Sequence, residues 1–209
     1  MFSPSPRRPA LILAIICLLL SQQNVAQALP DTIRDTQGNT YLTRIYSSNL
    51  CWMTVNLATN IPGSYGYETS DKISDSFGRL YTWKSALEGC RLLGNGWHLP
   101  TNEEWQQLAQ PYGGVRDVAA DGGKAAYEAL IDSGAAAFNA VYGGRYDPHD
   151  STYHRVDAHG FYWTATATDP AQAWFYNLGR NGRIVNRHPD GQKTEALAVR
   201  CVKRIDRNH

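Results

Sequence analysis

Three cysteines, Cys51, Cys90 and Cys201, and one histidine with carboxylates nearby, His98, are the side chains of this 209-residue chain best suited to chemistry. A thiol can pair, ligate a metal or attack a substrate once it is deprotonated. Three thiols allow one internal disulfide and leave one over. We expect the bridge between Cys90, which ends a helix-like segment, and Cys201, in the last strand-like segment, Ala196 to Lys203. Such a bridge closes a loop of about 110 residues, worth at most roughly 4.7 kcal/mol in the chain-entropy model. Cys51 stands between Leu50 and Trp52, an apolar setting that predicts a buried, inert thiol. His98 would act as a catalyst only with Glu103 or Glu104 in hydrogen-bond reach. Glu104 is expected to cap a helix, so His98 reads as a structural residue bonded to backbone.

Other catalytic signatures are missing. The chain has no His-Glu-x-x-His, Cys-x-x-Cys or EF-hand spacing and no Gly-x-Ser-x-Gly. Asp147, His149, Asp150 and His154 form an oxygen-rich group in one segment, where calcium could sit. A Pro-containing surface loop of this kind commonly carries no metal, so neither metal nor cofactor is expected. The six Trp and twelve Tyr are a heavy aromatic load. Trp52, Trp83, Trp97 and Trp105 read as packing residues. Tyr142, Arg145, Tyr146, Tyr153, Tyr162, Trp174 and Tyr176 are the exposed binding candidates. Rings supply contact area and Arg, Asp and Asn supply direction, which suits carbohydrate or peptide recognition.

These residues need a scaffold, and periodicity outlines one. Thr32 to Leu57 reads as strands, broken by turns at Asp35–Asn39 and Ser47–Asn49. Asn60 to Ser76 reads as a loop. Trp83, Ala86, Leu87 and Cys90 share one face of a helix predicted over Trp83–Leu93 and stopped by Gly94–Gly96. Thr101 and Glu104 form a capping box that opens a second helix, with Trp105 and Leu108 facing inward. Gly113 to Gly123 reads as a Gly-rich loop before a third helix, Gly123 to Ile131. Strands are predicted at Phe138–Tyr142 and Phe161–Thr166. Ala173–Leu178 and Arg183–Asn186 form a hairpin whose Asn181–Gly182 tolerates the positive φ of a tight turn. The class is α+β, with two or three helices and antiparallel strands.

The N-terminus predicts export. Arg7 and Arg8 precede an apolar run, Leu11 to Leu20, and Ala26-Gln27-Ala28 has the small-x-small cleavage pattern. That run is too short for a bilayer-spanning helix, which needs about 20 residues. Residues 1–28 therefore read as a signal peptide that takes Cys17 with it, and residues 29–209 as one domain. The expected location is periplasmic or extracellular, with no membrane span after cleavage. Without Arg7 and Arg8, the 20 basic side chains fall to 18 against 19 acidic ones. No basic excess remains to neutralise phosphates, so nucleic acid is not an expected partner.

Several short motifs then carry a family resemblance. They are Arg34-Asp35 with Gly38 and Tyr41; Cys51-Trp52-Met53 with Asn56-Leu57; and Gly78-Arg79-Leu80-Tyr81-Thr82-Trp83 with Ala86 and Cys90. Gly96-Trp97-His98-Leu99-Pro100-Thr101 with Glu104-Trp105, Gly160 to Thr164, and Val199-Arg200-Cys201-Val202 complete the set. In order and spacing the chain resembles the Fibrobacter succinogenes major paralogous domain over about residues 31 to 204. The resemblance implies a fold similar to C-type lectin-like domains and formylglycine-generating enzymes, in which a helix cysteine pairs with one in the final strand. Here Arg91 to Asn95 lengthens the link between the helix cysteine and the Gly-Trp-His-Leu-Pro motif. Calcium-dependent sugar-binding lectins resemble one another in carrying Glu-Pro-Asn and Trp-Asn-Asp triplets, and neither occurs. Formylglycine-generating enzymes use two cysteines near the C-terminus, and only Cys201 is there. The expected function is an exported, non-enzymatic module recognising a glycan or surface protein. The alternatives are a thiol-dependent or hydrolytic enzyme and a structural envelope component.

Overall fold

Asp35 makes the first corner of the fold. Its Oδ1 accepts the backbone N–H groups of Gln37 and Asn39, each at 2.9 Å, a local turn that asparagine and aspartate build readily. The turn folds β1 (Asp31–Arg34) back on β2 (Thr40–Tyr46). β3 (Leu50–Met53) and β11 (Val202–Arg204) complete an antiparallel sheet in the order β1-β2-β3-β11. These elements belong to a computed structural model that describes residues 31–46, 49–67 and 77–205. The expected signal peptide, residues 1–28, lies outside the described residues, as do Ser47 and Ser48 of the second expected turn.

β4 (Ser64–Tyr65) pairs with β5 (Leu80–Tyr81) inside and after the segment expected to be a loop. Helix α1 follows at Trp83–Arg91 and buries Ser85, Ala86, Gly89 and Cys90. Trp83 and Leu87 lie half-buried at its edge. Gly89 permits this close packing, because a Cβ there would stand 2.7 Å from Leu57 Cδ2. Helix α2 (Asn102–Ala109) opens on the expected capping box. Thr101 Oγ1 accepts the Glu104 N–H at 3.2 Å, and Glu104 Oε2 accepts the Thr101 N–H at 3.0 Å. A 3-10 turn, Gln110–Tyr112, extends it, and α3 (Lys124–Leu130) comes after the Gly-rich loop. That loop is tied down: Val115 is buried, and Asp121 accepts the Gly123 and Ala125 N–H groups at the start of α3.

The chain departs from the expected strands in three places. Phe138–Tyr142 is not a strand, because Ala137 and Asn139 take left-handed backbone at φ 50° and 57°. In that segment only Ala140 makes a bridge, to Ile131. Instead, β6 (Arg145–Asp147) and β7 (Thr152–His154) form a short hairpin. The long hairpin is present as β9 (Gln172–Gly179) and β10 (Ile184–Gln192), alongside β8 (His159–Ala167) in the order β10-β9-β8. Its loop holds the four residues between the paired Gly179 and Ile184, and the positive φ expected at Asn181–Gly182 falls instead on Arg183, at 48°. Four-residue loops are commonly built on a type I turn, which places the left-handed residue after Asn181–Gly182. Finally, Ala196–Cys201 is not a regular strand. Ala196, Leu197 and Ala198 bridge Tyr146, Tyr81 and Tyr162 in turn, so this buried segment threads between the small sheets before β11 begins.

The architecture is α+β, and all pairings between named strands are antiparallel. The core has two centres. In one, Trp105 stacks on Tyr176 (4.8 Å between ring centres) and meets Trp52 edge-on at 5.2 Å. The other surrounds Tyr81, Trp163 and the expected disulfide, Cys90–Cys201. Among the described residues, no helix is long and apolar enough to cross a membrane.

Candidate functional site

The β6–β7 hairpin sets Tyr146 directly opposite Tyr153, so both rings leave the same face. Their centres are 4.7 Å apart, and Tyr65 of β4 approaches Tyr146 at 4.5 Å. Tyr67 stacks behind Tyr153 at 5.5 Å. Tyr65, Tyr146 and Tyr153 are each half-buried. The Tyr153 hydroxyl donates to the Gly66 carbonyl, which links the hairpin to the β4 segment. The Tyr146 backbone exchanges both hydrogen bonds with Ala196. Arg145, next in the hairpin, pairs with Glu195 at 3.0 Å. Burial pushes the Glu195 carboxyl above its ordinary value, and Arg145 pulls the other way. The structure thus brings Arg145, Tyr146 and Tyr153 together and adds Tyr65 and Glu195, which the sequence reading did not select. Tyr65 carries no signal of its own, because its neighbourhood depends on a chain returning some 80 residues later.

Two candidates do not belong to an exposed surface. Tyr162 and Tyr176 are fully buried. The Tyr162 hydroxyl donates to the Val141 carbonyl and accepts the Val141 N–H. The Tyr176 hydroxyl donates to Asn102. Both were expected at the surface because alternation cannot tell a solvent face from a face covered by a helix. Trp174 is half-buried on β9, with the Arg187 guanidinium 5.3 Å from its ring centre. Tyr142 is similarly covered by Arg180 at 4.7 Å.

The oxygen-rich segment serves the hairpin turn. Asp147 Oδ1 accepts the His149 N–H and Asp150 Oδ1 accepts the Thr152 N–H. Among the described residues, no three His, Cys, Asp or Glu gather as a metal ion would require. His98 holds two partners at once. Its Nδ1 lies 3.0 Å from the Gly96 carbonyl, and its Nε2 lies 3.1 Å from both Glu104 carboxylate oxygens. Hydrogen bonding to Glu104 raises the His98 pKa. Burial would raise Glu104, but the bonds from His98 and Thr101 prevail and lower it. Glu104 is therefore both helix cap and ion-pair partner. Cys51 is unpaired and buried, and burial pushes its thiol pKa up.

A second feature was missed in the sequence. A recess of about 580 Å³ opens between the β1–β2 turn, the segment after β3 and the irregular stretch around Asn139, with Arg79 and Arg200 in its wall. The signal for it was Arg200, the one charge inside the apolar run Ala196–Val202.

The family model for the Fibrobacter succinogenes major domain matches residues 45–203. No curated protein and no solved structure matches the chain.

Proposed function

This chain belongs to the Fibrobacter succinogenes major domain family, and from that premise we propose that it is an exported, non-enzymatic binding module recognising a glycan or protein at the cell envelope or surface. We read its α+β architecture as C-type lectin-like, a reading supported by the bridge from helix α1 to the residue preceding β11. The observation that carries the binding function is the convergence of Tyr65, Tyr146 and Tyr153. Three half-buried rings from separate strands meet beside the Arg145–Glu195 pair. Rings with an adjacent polar pair offer area and direction to one ligand.

The thiol-dependent alternative needs a reactive cysteine. Cys201 is consumed by the bridge, and Cys51 is buried with a raised pKa, which works against a thiolate nucleophile. Rapid labelling of native Cys51 by a thiol reagent would restore that alternative.

The deciding experiment is a glycan array and a pull-down from envelope extract, using the secreted protein and its Tyr146→Ala and Tyr153→Ala variants. Binding should fall with each variant and survive Trp174→Ala. Binding indifferent to both tyrosines sinks the proposal. Intact mass of the secreted protein tests export, which calls for a new N-terminus at Leu29.

A further inference from the structure

We propose that the Arg79–Arg200 recess is a separate binding site for an acidic sugar of the uronic-acid class, with the carboxylate held by the two guanidiniums. The recess shares no residue with the tyrosine cluster. Its volume, about 580 Å³, suits a small-molecule site.

Arg200 is 1% exposed. Its Nε donates to Asn56 Oδ1 at 2.8 Å, its Nη1 to the Phe138 carbonyl and its Nη2 to the Asn139 carbonyl at 2.6 Å. All three acceptors are neutral. Among the described residues, no carboxylate lies within ion-pair distance of Arg200 or Arg79. A buried charge without a counter-charge is costly, and burial accordingly pulls the Arg200 pKa down. A guanidinium has five N–H donors; three on Arg200 go to those acceptors, and the Tyr162 hydroxyl is a further neutral neighbour. The Phe138 ring lies 4.5 Å beneath the guanidinium and fixes its plane.

Arg79 is fixed as well. Its Nε and Nη2 donate to the Ser64 hydroxyl and carbonyl, each at 3.0 Å. Gly66 makes room for it, since a Cβ there would come 2.9 Å from Arg79 Nη1. The remaining polar wall is neutral: amides of Asn39, Asn56 and Asn139, and the Tyr41 ring with its hydroxyl turned to Asp35. Asp35 stands behind Asn39 and Tyr41, and its carboxylate accepts from Gln37, Asn39, Tyr41 and Thr59. It orients the wall and does not neutralise the arginines. Planar guanidiniums recognise carboxylates well. The Asn56 amide is engaged at both ends and Asn39 Nδ2 donates to Asp35, so Asn39 Oδ1 and the Asn139 amide are the wall groups that face sugar hydroxyls. A bare phosphate would occupy the guanidiniums and leave Asn39 Oδ1 and the Asn139 amide unused.

The test is calorimetric titration of the full-length secreted protein with galacturonate and glucuronate, in parallel with galactose, galacturonate methyl ester and inorganic phosphate. At least one uronate should saturate, and galactose and the ester should bind about tenfold more weakly or worse, as expected for loss of a charge-assisted hydrogen bond. Arg79→Ala should weaken the uronate by a similar factor, and Tyr146→Ala should leave it unchanged. The ligand comparison uses unmodified protein, so it does not depend on any variant folding. Equal binding of ester and acid, equal binding of phosphate, or no uronate binding at millimolar concentration each overturns the proposal. A uronate bound equally by Arg79→Ala overturns the placement. Failure here with tyrosine-dependent glycan binding intact would leave the binding-module reading standing.

Discussion

The Arg200 recess and the Tyr65–Tyr146–Tyr153 cluster are held in opposite ways. Around the recess, the main polar groups are held by fixed internal partners: Arg200 clamps Asn56 and the Phe138–Asn139 backbone, and Asp35 gathers four neighbours. The cluster rests on a hairpin of two three-residue strands, with one hydroxyl tie to Gly66 and a backbone pair to Ala196. A wall fixed in this way discriminates charge and geometry. A half-exposed ring array on a short hairpin supplies area and can adjust to its ligand. Damage to the first should therefore cost stability, and damage to the second should cost binding with little loss of stability.

The largest effect should come from the bridge that anchors the recess side. Cys90→Ser with Cys201→Ser should cost about 2–5 kcal/mol in urea unfolding, because Cys201 adjoins Arg200 and ties it to α1. A cost below about 1 kcal/mol would show that the wall is held without the bridge. Next, Arg200→Met strands two buried acceptors and one half-buried one, and should cost about 2–3 kcal/mol by the same measurement. Tyr153→Phe removes one hydroxyl tie and should cost only about 1 kcal/mol. If the hairpin variant proves as destabilising as the arginine variant, the contrast between the two regions fails.

The smallest effect is a pH dependence remote from both. The Glu104 hydrogen bond raises the His98 pKa above its ordinary 6.5, so that contribution is full below 6.5 and is lost as pH rises through the raised value. Burial would raise the Glu104 pKa, but its donors hold it below its ordinary 4.5, so that contribution is present above 4.5 and is lost as pH falls through the lowered value. The pair should stabilise most between those two ordinary values. The gap in urea midpoint between the native protein and His98→Gln should be larger at about pH 5.5 than at about pH 8.5. An equal gap at both would mean that His98 acts through the Gly96 carbonyl alone.

Local rules were readable wherever a few adjacent residues settle the outcome. The capping box of Thr101 and Glu104 formed as written, because both partners lie within one helical turn. The inward positions of Trp105 and Leu108 followed from helical period. The exposures of Tyr162 and Tyr176 were misjudged because β8 and β9 are covered on more than one side, where period-two alternation loses its meaning. Phe138–Tyr142 carried a strand-like composition, but left-handed backbone at Ala137 and Asn139 broke it. The Phe138 and Asn139 carbonyls created there are the ones that Arg200 binds.

By itself, the sequence determined the α+β class, the helices, the long hairpin and the bridge between Cys90 and Cys201, since periodicity, capping residues and family motifs are properties of neighbouring positions. Only the tertiary structure decided that Tyr162 and Tyr176 are core, and that Arg79 and Arg200 share a recess. Those outcomes depend on segments far apart in the chain, such as Tyr65 with Tyr146 and Asn56 with Arg200. Their meeting is set by the packing of whole elements, which no local stretch of sequence specifies.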